Sequence, residues 1–153
     1  MPDFRFRAAA ALELRRQQET AAATTLARAE ALFHEAEALA ARGDQARIEA
    51  QDAQRSAERR GTDMAALEWH RNWIVRLTLT VATLRREVDA RAEVARQAEQ
   101  GWREARRKRL ALERMRERAW RRYQVEQQRQ ELKALDELAR LRFVMPDAWR
   151  DES

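Results

Sequence analysis

The scarcity of helix-breaking residues constrains this chain more than any other feature. Its 153 residues include three Gly and two Pro, and the prolines, Pro2 and Pro146, lie close to the two ends. Proline breaks a helix interior, and glycine weakens one by about 1 kcal/mol relative to alanine. The hydrophobic 44% of the chain is largely alanine, and 37% of the residues are charged. This composition is typical of long helices or a coiled coil.

Gly61 marks the strongest break between the two prolines. It is followed by Thr62 and Asp63, so a glycine suited to end one helix stands directly before residues suited to cap the next. Gly43 is a further site where the first helix could kink. The predicted elements are a first helix at about 3–59, a turn at about 60–63, a second helix at about 64–142 and a short C-terminal tail.

Apolar residues of the second helix recur at alternating spacings of three and four, which indicates a coiled coil. A weaker repeat begins at Leu12 in the first helix, where Arg15 and Glu19 interrupt it. Because the turn is short, the helices should pack antiparallel. The predicted fold class is all-α: a long antiparallel two-helix coiled-coil hairpin forming a single domain over residues 1–153. The predicted seam consists of Leu26, Phe33, Ile74, Leu77, Val81, Leu84, Val88, Trp102 and Leu112.

Residues 64–84 carry more apolar surface than one seam can bury. In the predicted pairing they face residues 44–60, where Ile48 is the only large apolar residue. Either this surface binds another molecule, or residues 62–72 form a separate short helix that folds back over it. The surface comprises a second stripe, Val75, Leu79, Ala82 and Arg86, with Trp69 and Trp73 on neighbouring faces.

The leucine-rich segment 124–145 runs past the start of the first helix in the same pairing. A single helix is marginal in water, so this segment should be either frayed or held by another molecule. Just before it, the pairing brings Phe4 and Phe6 close to Trp120 and Tyr123, which would close the open end of the hairpin with aromatic rings.

Catalytic, metal and cofactor sites are not indicated. His34 and His70 lie in different helices with no further ligand at metal-binding spacing, and the glycines are too isolated for a phosphate-binding loop. There is no cysteine, hence no disulfide framework or thiolate site. We therefore expect no enzymatic activity, no cofactor and no small-molecule substrate.

Nucleic acid is the alternative partner from a different class. The chain has 31 Lys and Arg against 26 Asp and Glu, and arginines are dense over residues 103–122, interleaved with Trp120 and with glutamates. Such a patch could bind phosphates. However, its basic residues point all round the helix and no zipper follows them. Interleaved charges of this kind usually form a solvated face with i,i+4 pairs, so nucleic acid is the less favoured hypothesis.

Neither a signal peptide nor a membrane span is indicated. The first residues, MPDFRFRAAAALELRR, carry Arg at short intervals, and no window reaches about eighteen apolar residues. The expected location is the cytoplasm.

Three segments, in their order and spacing, resemble the FliJ family of flagellar export proteins. They are the opening FRFRAAAALELRRQQETAAATTLARAEA, the middle WHRNWIVRL, and GWREARRKRLALERMRER followed by ELKALDELA. The resemblance covers essentially the whole chain. The equivalent stalk protein of a virulence-type injectisome is the alternative, and the FRF start and DELA ending favour the flagellar family.

The resemblance implies a non-enzymatic protein with a fold similar to the central stalk (gamma) subunit of rotary ATPases. It implies entry into the pore of the hexameric export ATPase FliI, contact with the cytoplasmic domain of the export gate protein FlhA, and an escort role for export chaperones. Membrane contact would be indirect, at the cytoplasmic face, through the gate. The face formed by Val75, Leu79, Ala82 and Arg86, with Trp69 and Trp73, would bind the gate. The residues assigned to the ATPase are Leu12, Arg15, Arg16, Lys133, Asp136 and Glu137.

Overall fold

Two long helices account for nearly all of the computed structural model, which describes residues 3–148. Helix α1 spans Ala9–Arg60 (52 residues) and helix α2 spans Met64–Ala148 (85 residues). The helices pack against each other and no strand occurs within the described range, which confirms the all-α helical hairpin. The chain divides into two compact units. We call Gln17–Arg106 the hairpin unit, and residues 3–16 with 107–148 the terminal unit.

The turn of the hairpin unit is built from local hydrogen bonds. Gly61 has a φ of 75°, the left-handed conformation that favours glycine after a helix. Its N–H donates to Glu58 O (3.3 Å), and the Thr62 N–H donates to Ala57 O (3.2 Å), the two bonds of a Schellman motif. Asp63 then caps α2 by accepting a hydrogen bond from Ala66 N (2.9 Å). The predicted roles of Gly61 and Asp63 are confirmed.

Alanine supplies most of the fully buried positions in the hairpin unit. Ala29, Ala36, Ala50 and Ala57 are each at most 7% exposed, and Val81 of α2 is 3% exposed. These alanines are separated by seven or fourteen residues, so they occupy the same position of a coiled-coil heptad. The larger seam residues of this unit keep part of their surface in water because two helices alone cannot enclose them. These half-buried residues are Leu26, Phe33, Ile74, Leu77, Leu84, Val88 and Trp102.

Residues 44–60 pack more closely than their polar sequence suggests. Ala57 is 2% exposed and Ala50 is 7% exposed, whereas Ile48 is 40% exposed. Small side chains therefore provide the packing of this segment. The seam here is formed by methyl groups, and the one large apolar residue points away from it.

Gly43 lies inside α1, which continues through it as α-helix. A Cβ atom at this position would lie 2.9 Å from Leu84 Cδ1 and 3.5 Å from Val81 Cγ2. The absence of a side chain thus lets the two helix backbones approach closely. Next to it, Asp44 accepts hydrogen bonds from Arg47 (2.8 Å) and, across the seam, from Arg85 (3.3 Å).

The N-terminal segment of the terminal unit is not helical at its start. Helix α1 begins at Ala9, later than the expected residue 3, with the Ala9 N–H bonded to Phe6 O at 3.2 Å. The Phe4 ring packs instead against α2, with centroid distances of 5.0 Å to Trp120 and 5.5 Å to Tyr123. Aromatic pairs at this spacing are stabilising beyond the area they bury. The predicted aromatic closure is confirmed for Phe4, and this contact explains why the helix starts late.

Helix α2 ends at Ala148, later than the predicted residue 142. The earlier end was expected because Pro146 removes a backbone donor and disfavours helical conformation in the residue before it. The helix instead carries this proline in its last turn, where a single missing N–H costs less than it would in the interior.

The positive φ of Gly61 predicts opposite effects for two substitutions of the same type. Gly61→Ala should lower the free energy of unfolding by about 1–2 kcal/mol, because a Cβ is strained in the left-handed region. Gly101 lies within α2 with open space around it, so Gly101→Ala should raise stability by up to about 1 kcal/mol. Urea denaturation followed by circular dichroism measures both changes. Equal effects of the two substitutions would contradict the role of Gly61.

Candidate functional site

The α2 stripe predicted at Val75, Leu79, Ala82 and Arg86 is largely in contact with water. Val75 is 59% exposed and Leu79 is 63% exposed, while Ala82 is half-buried. Met64, at 71% exposed, precedes Val75 by three helical turns and lies on the same face. Sequence analysis missed Met64, although its spacing of eleven residues from Val75 could have revealed it. We call these five residues the Leu79 stripe.

Trp69 and Trp73 form a separate surface. Their rings are nearly parallel, at an interplanar angle of 14° with centroids 6.3 Å apart, as expected for residues one turn apart. Trp69 is 62% exposed and Trp73 is 41% exposed. At about 100° per residue, the mean direction of this pair lies about 120° around the helix from the mean direction of Val75 and Leu79. The residues predicted to bind the gate therefore lie on two faces of α2, with the tryptophans beside the stripe.

Within residues 3–148 no separate helix covers either surface. The alternative of a short helix over residues 62–72 that folds back on the stripe was wrong, because α2 is continuous from Met64. Asp63 caps α2 and so fixes where this helix starts. Residues 64–72 then run along the seam, where Leu67 and His70 are half-buried.

The last described turns of α2, in the terminal unit, expose a row of leucines. Positions that continue the seam repeat from Glu126 to Arg140 are polar, as at Gln130 and Glu137, and every residue from 128 to 144 is exposed. The large apolar residues lie on other faces of the helix, with Phe143 the most exposed at 84%. We call the following residues the leucine segment: Leu132, Leu135, Leu138, Leu141 and Phe143.

The residues assigned to the ATPase do not form one patch. Leu12 is 3% exposed and packs in the seam, so we leave it out of any binding surface. Arg15 is half-buried. Arg16 is 3.5 Å from Glu113 of α2, and Glu113 lies about 20 residues, or about 30 Å, before Lys133 along the helix. The predicted set thus splits into an arginine pair and a distant acidic–basic cluster.

That distant cluster coincides with the leucine segment. Lys133, Asp136 and Glu137 are all exposed, and they alternate along α2 with Leu132, Leu135 and Leu138. A partner that binds the leucines would therefore meet these charges as well.

Some arginines of the basic region are paired along their own helix. The nitrogen–oxygen distance is 2.6 Å from Arg103 to Glu99 and 2.7 Å from Arg109 to Glu113, and Arg121 pairs with Glu117. The Arg106 guanidinium lies 5.5 Å from the centroid of the Trp102 ring. Arginines held in this way are less available to phosphates, which weakens the nucleic-acid hypothesis.

The Glu93 carboxyl belongs to an exposed ion pair on α2. The hydrogen bond from Arg96, and then its charge, lowers the pKa of the exposed Glu93 carboxyl, as a surface ion pair does. His34 contacts Glu37 (3.3 Å) on its own helix, and the His70 ring lies 5.2 Å from Trp69. Among the described residues, no group of His, Cys, Asp and Glu side chains is arranged to hold a metal ion. No described helix is long and apolar enough to cross a membrane.

Comparison with known families identifies the group to which the chain belongs. No curated protein and no solved structure matches it. The profile of one family, described as flagellar FliJ protein, matches residues 9–146. This range begins with α1 and ends two residues before α2 does, so it includes the turn, the Leu79 stripe and the leucine segment. The chain therefore belongs to the FliJ family, whose members are non-enzymatic components of the flagellar export apparatus.

Proposed function

We propose that this protein is a stalk that promotes the hexameric export ATPase FliI and couples it to the export gate protein FlhA. It also escorts the chaperones of export substrates. In this proposal it works in the cytoplasm and reaches the membrane only through the gate. The observation that carries the proposal is the presence of two exposed apolar surfaces, one in each unit, on a helical hairpin that belongs to an export family.

The Leu79 stripe is the proposed gate-binding surface. Val75 and Leu79 lie on the side of α2 turned away from the seam, so a partner can cover them without disturbing the packing on α1. Burying one such side chain contributes about 1.5–3 kcal/mol, which makes a few of them sufficient for a specific contact. Trp69 and Trp73 supply a second, aromatic face at the same end of α2.

The leucine segment is the proposed ATPase-binding surface. It is helical although no other described residue packs on it, and an isolated amphipathic helix gains stability when a groove or ring covers its apolar residues. Lys133, Asp136 and Glu137 would set the register by charge. Arg15 and Arg16 serve the same contact only if the ATPase covers about 30 Å of α2.

Stimulation of the export ATPase tests the stalk role directly. Adding the purified protein to FliI should raise ATP turnover and promote ring assembly, because the proposed contact is made with the assembled hexamer. The protein alone should hydrolyse no ATP. Turnover measured by phosphate release and ring assembly measured by light scattering provide the readouts. If neither quantity changes, the stalk role is wrong.

Two matched substitutions separate the proposed surfaces. Leu79 is 63% exposed and Leu135 is 60% exposed, so an aspartate at either position should leave the helicity intact. Leu79→Asp should weaken binding to the FlhA cytoplasmic domain about tenfold, or about 1.4 kcal/mol, without affecting ATPase stimulation. Leu135→Asp should do the reverse. Calorimetric titration with the gate domain and the turnover assay measure the two effects.

Leu84→Asp serves as the structural control for this pair. Leu84 is half-buried and its Cδ1 atom lies against Gly43, so a charge there should destabilise the hairpin and impair both activities. If Leu79→Asp also lowered helicity, Leu79 would be a packing residue and the assignment of the gate surface would be wrong.

A further inference from the structure

The terminal unit contains an open cleft between its N-terminal segment and α2. The cleft has a volume of about 600 Å³, within the usual range for ligand-binding sites. Phe6, Met115 and Ala119 contribute to its apolar surface. This cleft coincides with neither the Leu79 stripe nor the leucine segment. The charged residues that line it are Arg5, Arg7, Arg118 and Arg122.

The charges around the cleft are of one sign. All four arginines are exposed, and no acidic side chain lines the cleft. Within residues 3–144 none of the four forms an ion pair, whereas Arg121 and Arg129 of the same helix pair with Glu117 and Glu126. Arginines on a charged helix usually pair with carboxylates at i,i+3 or i,i+4. Such pairing does not account for these four arginines.

Two features of the cleft define the chemistry of its occupant. Four guanidinium groups around a concave surface favour carboxylates, which they can bind through paired hydrogen bonds. An apolar surface of Phe, Met and Ala favours an inserted aliphatic or aromatic side chain. We propose that the cleft binds an acidic segment of another protein that carries a large apolar side chain as its anchor.

Nucleic acid fits the same cleft less well. Sequence-independent binding of single strands relies on aromatic faces on which the bases stack. The rings of Phe4, Trp120 and Tyr123 already pack on one another, with Trp120 and Tyr123 stacked at 5.5 Å. The cleft offers arginines and the ring of Phe6, but Met115 and Ala119 cannot extend this ring into a surface on which successive bases stack.

The proposal goes beyond the stalk function and can fail independently of it, because the cleft residues were assigned to neither the gate nor the ATPase. The probe is a fluorescein-labelled peptide of Glu and Asp with Leu and Phe at i, i+4 and i+7. A comparison peptide has Ser in place of Leu and Phe. Binding to the full-length protein is measured by fluorescence anisotropy at near-physiological salt.

Charge reversal at the cleft is compared with the same reversal elsewhere on α2. Arg118→Glu/Arg122→Glu should weaken binding of the apolar acidic peptide at least about tenfold. Arg107→Glu/Arg114→Glu changes the net charge equally at exposed positions outside the cleft, and it should change the affinity less than about twofold. Met115→Gln should weaken binding severalfold by removing apolar surface. Circular dichroism should show unchanged helicity for all three variants.

Four results would overturn the proposal. Equal loss in the two double variants would indicate non-specific attraction to a basic helix. Equal affinity for the two peptides would show that no apolar side chain anchors the segment in the cleft. Tighter binding of single-stranded DNA, lost in Arg118→Glu/Arg122→Glu, would assign the cleft to nucleic acid. A dimer of the wild-type protein that this variant abolishes would assign the cleft to a second copy of the chain.

Discussion

The close contact between the two helices in the hairpin unit is the constraint on which its other features depend. Gly43 has no side chain, and alanines fill the most buried positions of α1, so Val81 and Leu84 of α2 pack almost against the backbone of α1. So narrow a seam buries little apolar area per residue. It leaves the remaining faces of α2 free, which is why Val75, Leu79 and the two tryptophans are in water. The exposed surfaces follow from the thinness of the seam.

In the terminal unit, large side chains rather than alanines pack between the two segments of the chain. Leu12 is buried in the seam, and the Phe4 ring contacts Trp120 and Tyr123. Aromatic packing holds an extended segment against α2 where alanines could not, and this segment forms one wall of the arginine-lined cleft. From Glu126 to Arg140 the seam positions are polar, and the leucines lie on other faces of α2. The change of pattern marks where packing within the chain ends and surface available to a partner begins.

Sequence periodicity predicted the helices and the turn because each depends on residues that are close in sequence or strictly repeated. The aromatic closure at Phe4 followed from pairing the two helices about that turn. It failed where a distant contact overrides local preference. Residues 3–8 have helix-forming neighbours, yet Phe4 is held by α2. Ile48 is the obvious apolar residue of its segment, yet Ala50 and Ala57 are the ones buried. The cleft could not be predicted at all, because its arginines come from two segments separated by most of the chain. The structure also shows that Leu12, one of the residues assigned to the ATPase, is buried. A sequence motif carries no information on exposure, so it could not exclude this residue.

The Schellman motif at Gly61 gives the chain a direction of folding. Its hydrogen bonds join residues only a few positions apart, so the turn can form without the entropy cost of closing a long loop. Each following pair of seam residues then meets across a loop already closed by the pair before it. The contact of Phe4 with Trp120 joins residues far apart in sequence and should form last. The helices should therefore pair progressively, starting from the turn. The arginine-lined cleft needs the contact that forms last, so it should be the first feature lost on unfolding.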